Sequence, residues 1–306
     1  MVVKQHFPIF YILFLIFLIV GASSCKKNNK MTIDERTQLA MTNDSLDAIS
    51  RDTILIPIGN SSKKFKLAWS RNTTTFQKQA IEVLLQELIY VEGGTFRMGC
   101  LKKEGDVCEE AEFPIHPVTL SPFYISKHEV VQLLWLEVMG YNPNVHKNNK
   151  YPVANVSWDE CQEFIKKINH ITSLHFDLPT EAQWEFAAKG GNKSKNSIFS
   201  GSDKIEKVAW YKENSRSMYH IVGTLAPNEL GIHDMSGNVW EWCSDYYAPY
   251  PSTPLLNPKG PSTGINKVYR GGSWLDNINY TRITNRNCGR ADYKMNCLGL
   301  RLILIP

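Results

Sequence analysis

From about Asn192 to Pro306 the chain is rich in glycine, asparagine and proline, with scattered aromatic residues and no long helical period. A segment of this kind folds largely as loops, so its core must rest on its tryptophans and on whatever ties the loops down. The chain carries eight tryptophans and is 11% aromatic, which implies a substantial core and argues against a disordered stalk. A formal net charge of +4, with scattered lysines, gives no reason to expect a nucleic-acid partner.

Ahead of that segment, two short helices are legible. Ser157-Trp-Asp-Glu160 is a capping box, in which the Ser157 hydroxyl accepts the amide of residue 160 while Glu160 reaches back. Cys161, Phe164, Ile165 and Ile168 form the apolar stripe behind it. Thr180-Glu-Ala-Gln183 repeats the device, followed by Trp184, Ala187 and Ala188, and Gly190-Gly191 supplies a left-handed stop. Phe76 to Tyr90 has helical spacing but ends in Leu88-Ile-Tyr-Val91, which reads equally as a strand. Asp52 to Ile58 is an extended segment carrying a proline, hence an edge or a short arm, and Val118 to Ile125 is another extended segment.

The N-terminus has the form of a lipoprotein signal. An uncharged apolar run from Pro8 to Val20 precedes Gly21-Ala22-Ser23-Ser24-Cys25, a small-residue cleavage site ending in a thiol. The expectation is cleavage before Cys25 and lipid on its sulfur, with Lys26 to Lys30 as the start of a polar tether. This divides the chain into a signal over 1–24, a tether and extended arm over 25–75, and a domain over 76–306. It also places the protein in the cell envelope, anchored to a membrane through Cys25 and, by expectation, to the outer membrane. An oxidising compartment permits disulfides. Cys100–Cys108 and Cys288–Cys297 would each close a short loop, which leaves Cys161 and Cys243 as the remainder. No C-x-x-C pair and no Cys/His cluster at zinc spacing occurs.

Three strings carry the chemistry: Leu178 to Glu185, Gly231 to Trp242, and Tyr269 to Trp274. In the second, Asp234 and Glu241 offer carboxylates, while Gly237 and Val239 offer backbone carbonyls from a tight bend. Hard oxygen donors at this spacing suit calcium. The alternative is that both carboxylates only cap turns and that Trp240 and Trp242 fill the core. Arg270 and Ser273 read equally as a buried ion pair and a turn hydroxyl.

Taken in order with Val91 to Gly99, Val156-Ser-Trp158 and Leu298-Gly-Leu-Arg301, these strings resemble the sulfatase-modifying-factor, or formylglycine-generating-enzyme, family over Val91 to Leu304. The resemblance implies an irregular α+β fold, distantly C-type-lectin-like, with calcium holding its loops. By position, Asp234, Gly237, Val239 and Glu241 match one family calcium site; a second would draw on the segment around Ala209-Trp210, where Ala209 replaces a usual ligand. The family oxidises a substrate cysteine to formylglycine and needs two cysteines just after Arg270-Gly-Gly-Ser273 to hold copper(I). Those positions read as Asp276 and Thr281, so the chain is taken to lack the pair. Calcium is therefore expected and copper is not. The function that follows is a non-catalytic, lipid-anchored binding or scaffolding module facing an envelope protein or glycan, similar to lipoproteins of Bacteroidetes gliding or secretion machineries. The competing functions are a formylglycine-generating oxidase or sulfatase maturation factor, and a calcium-dependent glycan receptor.

Overall fold

The structure, a computed structural model, describes residues 53–58, 61–101 and 107–305, all within one compact unit, Ser45–Pro306. Cys25, the apolar run before it and the lysine-rich segment after it lie outside the described residues. Among the described residues, no helix is long and apolar enough to cross a membrane.

Two strands open the described chain as an antiparallel hairpin, β1 (Thr53–Ile58) and β2 (Ser61–Lys66). The proline-bearing segment is thus one of only two strands in its sheet, where a missing N–H is tolerated. Helix α1 (Thr75–Gln86) gives way to β3 (Leu88–Val91), so the stretch with helical spacing is a helix that hands over to a strand. Strand β4 (Gly94–Met98) follows. The second extended segment divides at Ser121-Pro122 into β5 (His116–Leu120) and β6 (Phe123–Ser126). Next come α2 (Gln132–Met139), α3 (Trp158–Thr172), β7 (Phe176–Asp177) and α4 (Glu181–Ala188). The loop-rich C-terminal part holds β8 (Trp240–Tyr246), β9 (Leu255–Leu256), β10 (Asn266–Arg270), β11 (Arg286–Arg290), β12 (Leu298–Leu300) and β13 (Ile303–Leu304).

Both capping boxes form as read. Ser157 accepts from the Glu160 amide at 3.2 Å, and Thr180 accepts from the Gln183 amide at 3.2 Å. Helix α2 has no counterpart in the sequence reading. Gln132, Leu133, Leu134, Trp135, Val138 and Met139 are buried and only Leu136 and Glu137 are partly exposed, so no amphipathic stripe betrays it. Trp135 stacks on Phe164 of α3 with ring centroids 5.0 Å apart.

Three further sheets order the strands β11-β10-β8-β12, β3-β6-β13-β7 and β4-β5-β9. In the first, β12 runs parallel to β8 and β10 runs antiparallel to it, so residues far apart in sequence converge on Trp240–Trp242. That order also corrects the expected Cys288–Cys297 bridge. Cys288 lies on β11 and Cys297 immediately precedes β12, at opposite edges with β10 and β8 between them. At about 4.8 Å per strand they are separated by roughly 14 Å, beyond the reach of a disulfide. Cys161, Cys243, Cys288 and Cys297 are free thiols, and Cys100–Cys108 is bonded.

Candidate functional site

Strand β4 delivers the chain to Gly99, whose φ of +103° and close backbone neighbour admit only glycine; a Cβ there would lie 2.5 Å from the Glu112 carbonyl oxygen. Beyond it the Cys100 amide donates to that same carbonyl at 3.3 Å. The return segment forms a single 3-10 turn, Glu110–Glu112, in which the Glu109 amide donates to Glu112 Oε1 at 3.1 Å. These contacts bring the sulfurs of Cys100 and Cys108 and a carboxylate oxygen of Glu112 within 4.8 Å of one another, a group that could hold a metal ion once the disulfide is reduced.

Glu112 is fully buried, and its charge is met across 170 residues of sequence by Arg282, which donates to Oε1 at 2.6 Å and to Oε2 at 2.8 Å. The Thr284 hydroxyl adds a third bond at 2.6 Å. Such a forked pair fixes the carboxylate's orientation as well as its charge. Arg286 donates to the neighbouring Ala111 carbonyl at 2.9 Å, which pins the turn to β11.

This gathering corrects three linked expectations. A cysteine pair is present, at Cys100 and Cys108 beside Glu112. The supposed lack of one, taken from Asp276 and Thr281, no longer supports a non-catalytic scaffold, a leaning away from enzyme function, or the exclusion of copper. The spacing of the two cysteines signals by itself only a loop closure. Glu112 was missed because its partners lie on a distant strand and loop.

At the start of β8, Asp276 accepts from Trp240 Nε1 at 2.8 Å and from the Ser273 hydroxyl. Burial raises the Asp276 carboxyl above its usual range. Thr281 spends its hydroxyl on the Ile278 carbonyl at 2.9 Å, closing a local turn. Cys297, which sequence reasoning did not place here, bonds to Ser273; burial pushes its thiol up to about 11, so it stays protonated near neutrality.

Of the four candidate calcium positions, Asp234, Gly237 and Val239 lie on the bend leading into β8 and Glu241 lies within the strand. Gly237 is compelled: φ is +80° and a Cβ would lie 2.3 Å from the Trp210 carbonyl oxygen. Asp234 Oδ2 accepts from the Gly223 amide at 2.6 Å. Glu241 is fully buried; Arg301 donates to it at 2.7 Å and Trp184 Nε1 also at 2.7 Å. Val239 is likewise fully buried. Beside them stands Glu129, which no sequence motif marks, with Oε1 accepting from Asn238 at 3.0 Å and Oε2 buried without a partner. Burial first, and then the charge of Asp234, raises Glu129 well above the usual carboxylate range. Ala209, which stands where a second calcium site would draw a ligand, is fully buried; its carbonyl accepts from Asn214 at 2.9 Å.

A family model described as the sulfatase-modifying factor enzyme 1-like domain matches residues 72–305. The chaperone protein LppX of Paenibacillus barcinonensis is 32% identical over 248 residues, covering 65% of this chain and 82% of that protein. A formylglycine-generating enzyme of Streptomyces coelicolor is 30% identical over 185 residues, covering 55% of this chain and 57% of the enzyme. The chain thus spans little more than half of that enzyme's length. Among solved structures, Treponema denticola variable protein 1 superposes with a TM-score of 0.65 at 27% identity, covering 72% of this chain and 95% of that one. With the family model matching well over half of its length, the chain belongs to the sulfatase-modifying factor enzyme 1-like domain family.

Proposed function

We propose that this protein is a formylglycine-generating-type oxidase, or sulfatase maturation factor, of the cell envelope, working through Cys100 and Cys108. The observation that carries the reading is the cysteine pair held beside buried Glu112. Reduced, the pair offers two soft thiolates that suit copper(I), which supplies oxygen activation when bound. Glu112 is a hard donor already committed to Arg282 and Thr284, so its part is to fix the turn that carries Cys108.

The pair also balances the reaction. Converting a substrate cysteine thiol and dioxygen to the aldehyde, hydrogen sulfide and water consumes two electrons and two protons. Closing the Cys100 and Cys108 thiols to the disulfide found here releases two of each. The partner is then an exported polypeptide presenting a sulfatase-type cysteine, met at a membrane to which lipid on Cys25 holds this chain.

The full chain, extracted from membranes and reduced, should convert a sulfatase-type cysteine peptide to its aldehyde, read as a mass loss. Cys100→Ser and Cys108→Ser should each lower the rate at least a hundredfold without unfolding the protein. The intact mass should show a species beginning at Cys25 with acyl chains. Wild-type protein that leaves the peptide unchanged, or serine variants that convert it at full rate, would end this reading.

Calcium at Asp234, Gly237, Val239 and Glu241 is part of the same proposal. The support is a hard-oxygen donor set, with the unpartnered Glu129 Oε2 beside it. An ion bound to the native state alone stabilises through linkage, by about 2.7 kcal/mol at a hundredfold excess over Kd. Adding calcium to the chelated chain should raise Tm by several degrees, and Asp234→Ala should remove most of that response. Equal responses in the two proteins would rule out this location.

A further inference from the structure

An open cleft of about 330 Å³ lies between the C-terminal end of β8, the 246–261 loop and the start of α4. It lies at the end of β8 opposite Ser273 and Asp276, and neither cysteine of the pair lines it. Its volume is at the lower end for small-molecule sites, roughly 300–1,000 Å³, and most of its wall is apolar, built from Met98, Tyr250, Leu255 and a run of prolines. Pro249 and Pro251 flank Tyr250 and fix the backbone on either side of it, which makes this wall stiff.

The charges facing this cleft choose the sign of its ligand. The aromatic faces that would receive a cation are already occupied: the Arg286 guanidinium lies 3.7 Å from the Tyr250 ring, and Lys267 Nζ lies 3.5 Å from the Tyr246 ring. Glu181 is shared by two guanidiniums, accepting from Arg270 at 2.7 Å and from Arg286 at 2.6 Å, so it has no charge left for an incoming amine. Asp245 Oδ2 accepts from the Glu181 amide at 3.0 Å and the Ser244 hydroxyl at 3.0 Å. Burial, followed by the nearby Glu181 charge, pushes that carboxyl up to about 7, so near neutrality it carries only about half of its charge. Lys259 lines the mouth and makes no ion pair among the described residues. The cleft therefore presents an apolar wall with a surplus of positive charge at its rim.

We propose that this cleft binds a small organic carboxylate, with its apolar body against Met98, Tyr250 and Leu255 and its carboxylate at Lys259. Neither cysteine of the pair lines the cleft, but Arg286 borders it and also braces the turn before Glu112.

The test is calorimetric titration of the full chain with phenylacetate, 2-phenylethylammonium and 2-phenylethanol, which share a ring and differ in charge. Phenylacetate should bind at least tenfold more tightly than either of the others. Lys259→Glu, an exposed substitution, should weaken phenylacetate at least tenfold while leaving the unfolding curve unchanged. Leu255→Trp, which fills the mouth, should abolish binding. Absence of heat with phenylacetate, equal affinity for the amine or the alcohol, or full affinity in either variant would each overturn the proposal.

Discussion

Arg270→Met should destabilise the folded chain by about 3–5 kcal/mol, the usual cost of removing one partner from a buried ion pair. Arg270 is fully buried and donates to Glu181 Oε1 at 2.7 Å, to Glu185 Oε2 at 2.6 Å and to the Ile283 carbonyl at 2.9 Å. It thereby ties α4 to β10 and to the loop before β11. Each glutamate keeps one cation after the change, Arg286 for Glu181 and Lys189 for Glu185, which places the loss toward the lower end of that range. In thermal unfolding a loss of about 3 kcal/mol corresponds to roughly 6–12 °C for a domain of this size. The double variant Arg270→Met, Glu185→Gln should recover little, because Glu185 keeps Lys189 in the single variant and its removal leaves that ammonium unpaired. A single variant within 1 kcal/mol of the parent would show that the network adds little to stability.

What the sequence made legible was local, and what it hid was long-range. The capping boxes at Ser157 and Thr180 need only four consecutive residues, and the helices begin there. Cys100 and Cys108 lie eight residues apart, so their pairing could be read from spacing. The failed Cys288–Cys297 bridge was almost as close in sequence, but strand order put β10 and β8 between them, and no local signal encodes strand order. The same limit hid the partners that define the sites. Glu112 is completed by Arg282 and Glu241 by Arg301, across 170 and 60 residues respectively. Helix α2 escaped for another reason: burial of most of its residues blurs the periodicity that reveals a surface helix.

The two ends of β8 also divide the chemistry in a way the motifs did not announce. Trp240 begins the strand beside Asp276 and Ser273, while Asp245 and Tyr246 end it at the cleft. Between them Glu241 is held by Arg301 and Trp184, so the Gly231–Trp242 string seats one buried carboxylate in the sheet. The cysteine pair lies on neither end; it hangs from β4 and is braced by Arg282 and Arg286. A short soluble segment around any one motif would therefore lose the contacts that shape it.

Asp245 and Glu185 should give the folded chain opposite responses to pH, and Asp245→Asn should isolate the larger neutral-range effect. Glu185 is held down to about 2 despite its burial, by Lys189 and Arg270 and by the Gly99 amide, against a usual 4.5. Its contribution is complete above about pH 4.5 and fades as pH falls toward 2. Asp245 runs the other way, raised from 3.8 to about 7 by burial and then by Glu181. Below about pH 4 both folded and unfolded chains hold its proton, and the group costs nothing. Between about 4 and 7 the unfolded chain ionises while the folded chain keeps its proton, so stability falls as pH rises and then levels off. At 1.36 kcal/mol per pKa unit, a shift of about three units amounts to roughly 4 kcal/mol. Asp245→Asn cannot ionise, so urea unfolding of the variant and the parent at about pH 4.5 and about pH 8 separates this group from all others. Relative to the variant, the parent should lose several kcal/mol between those two pH values. Parallel stability changes in the two proteins would mean that Asp245 is ionised in the folded state across the whole range.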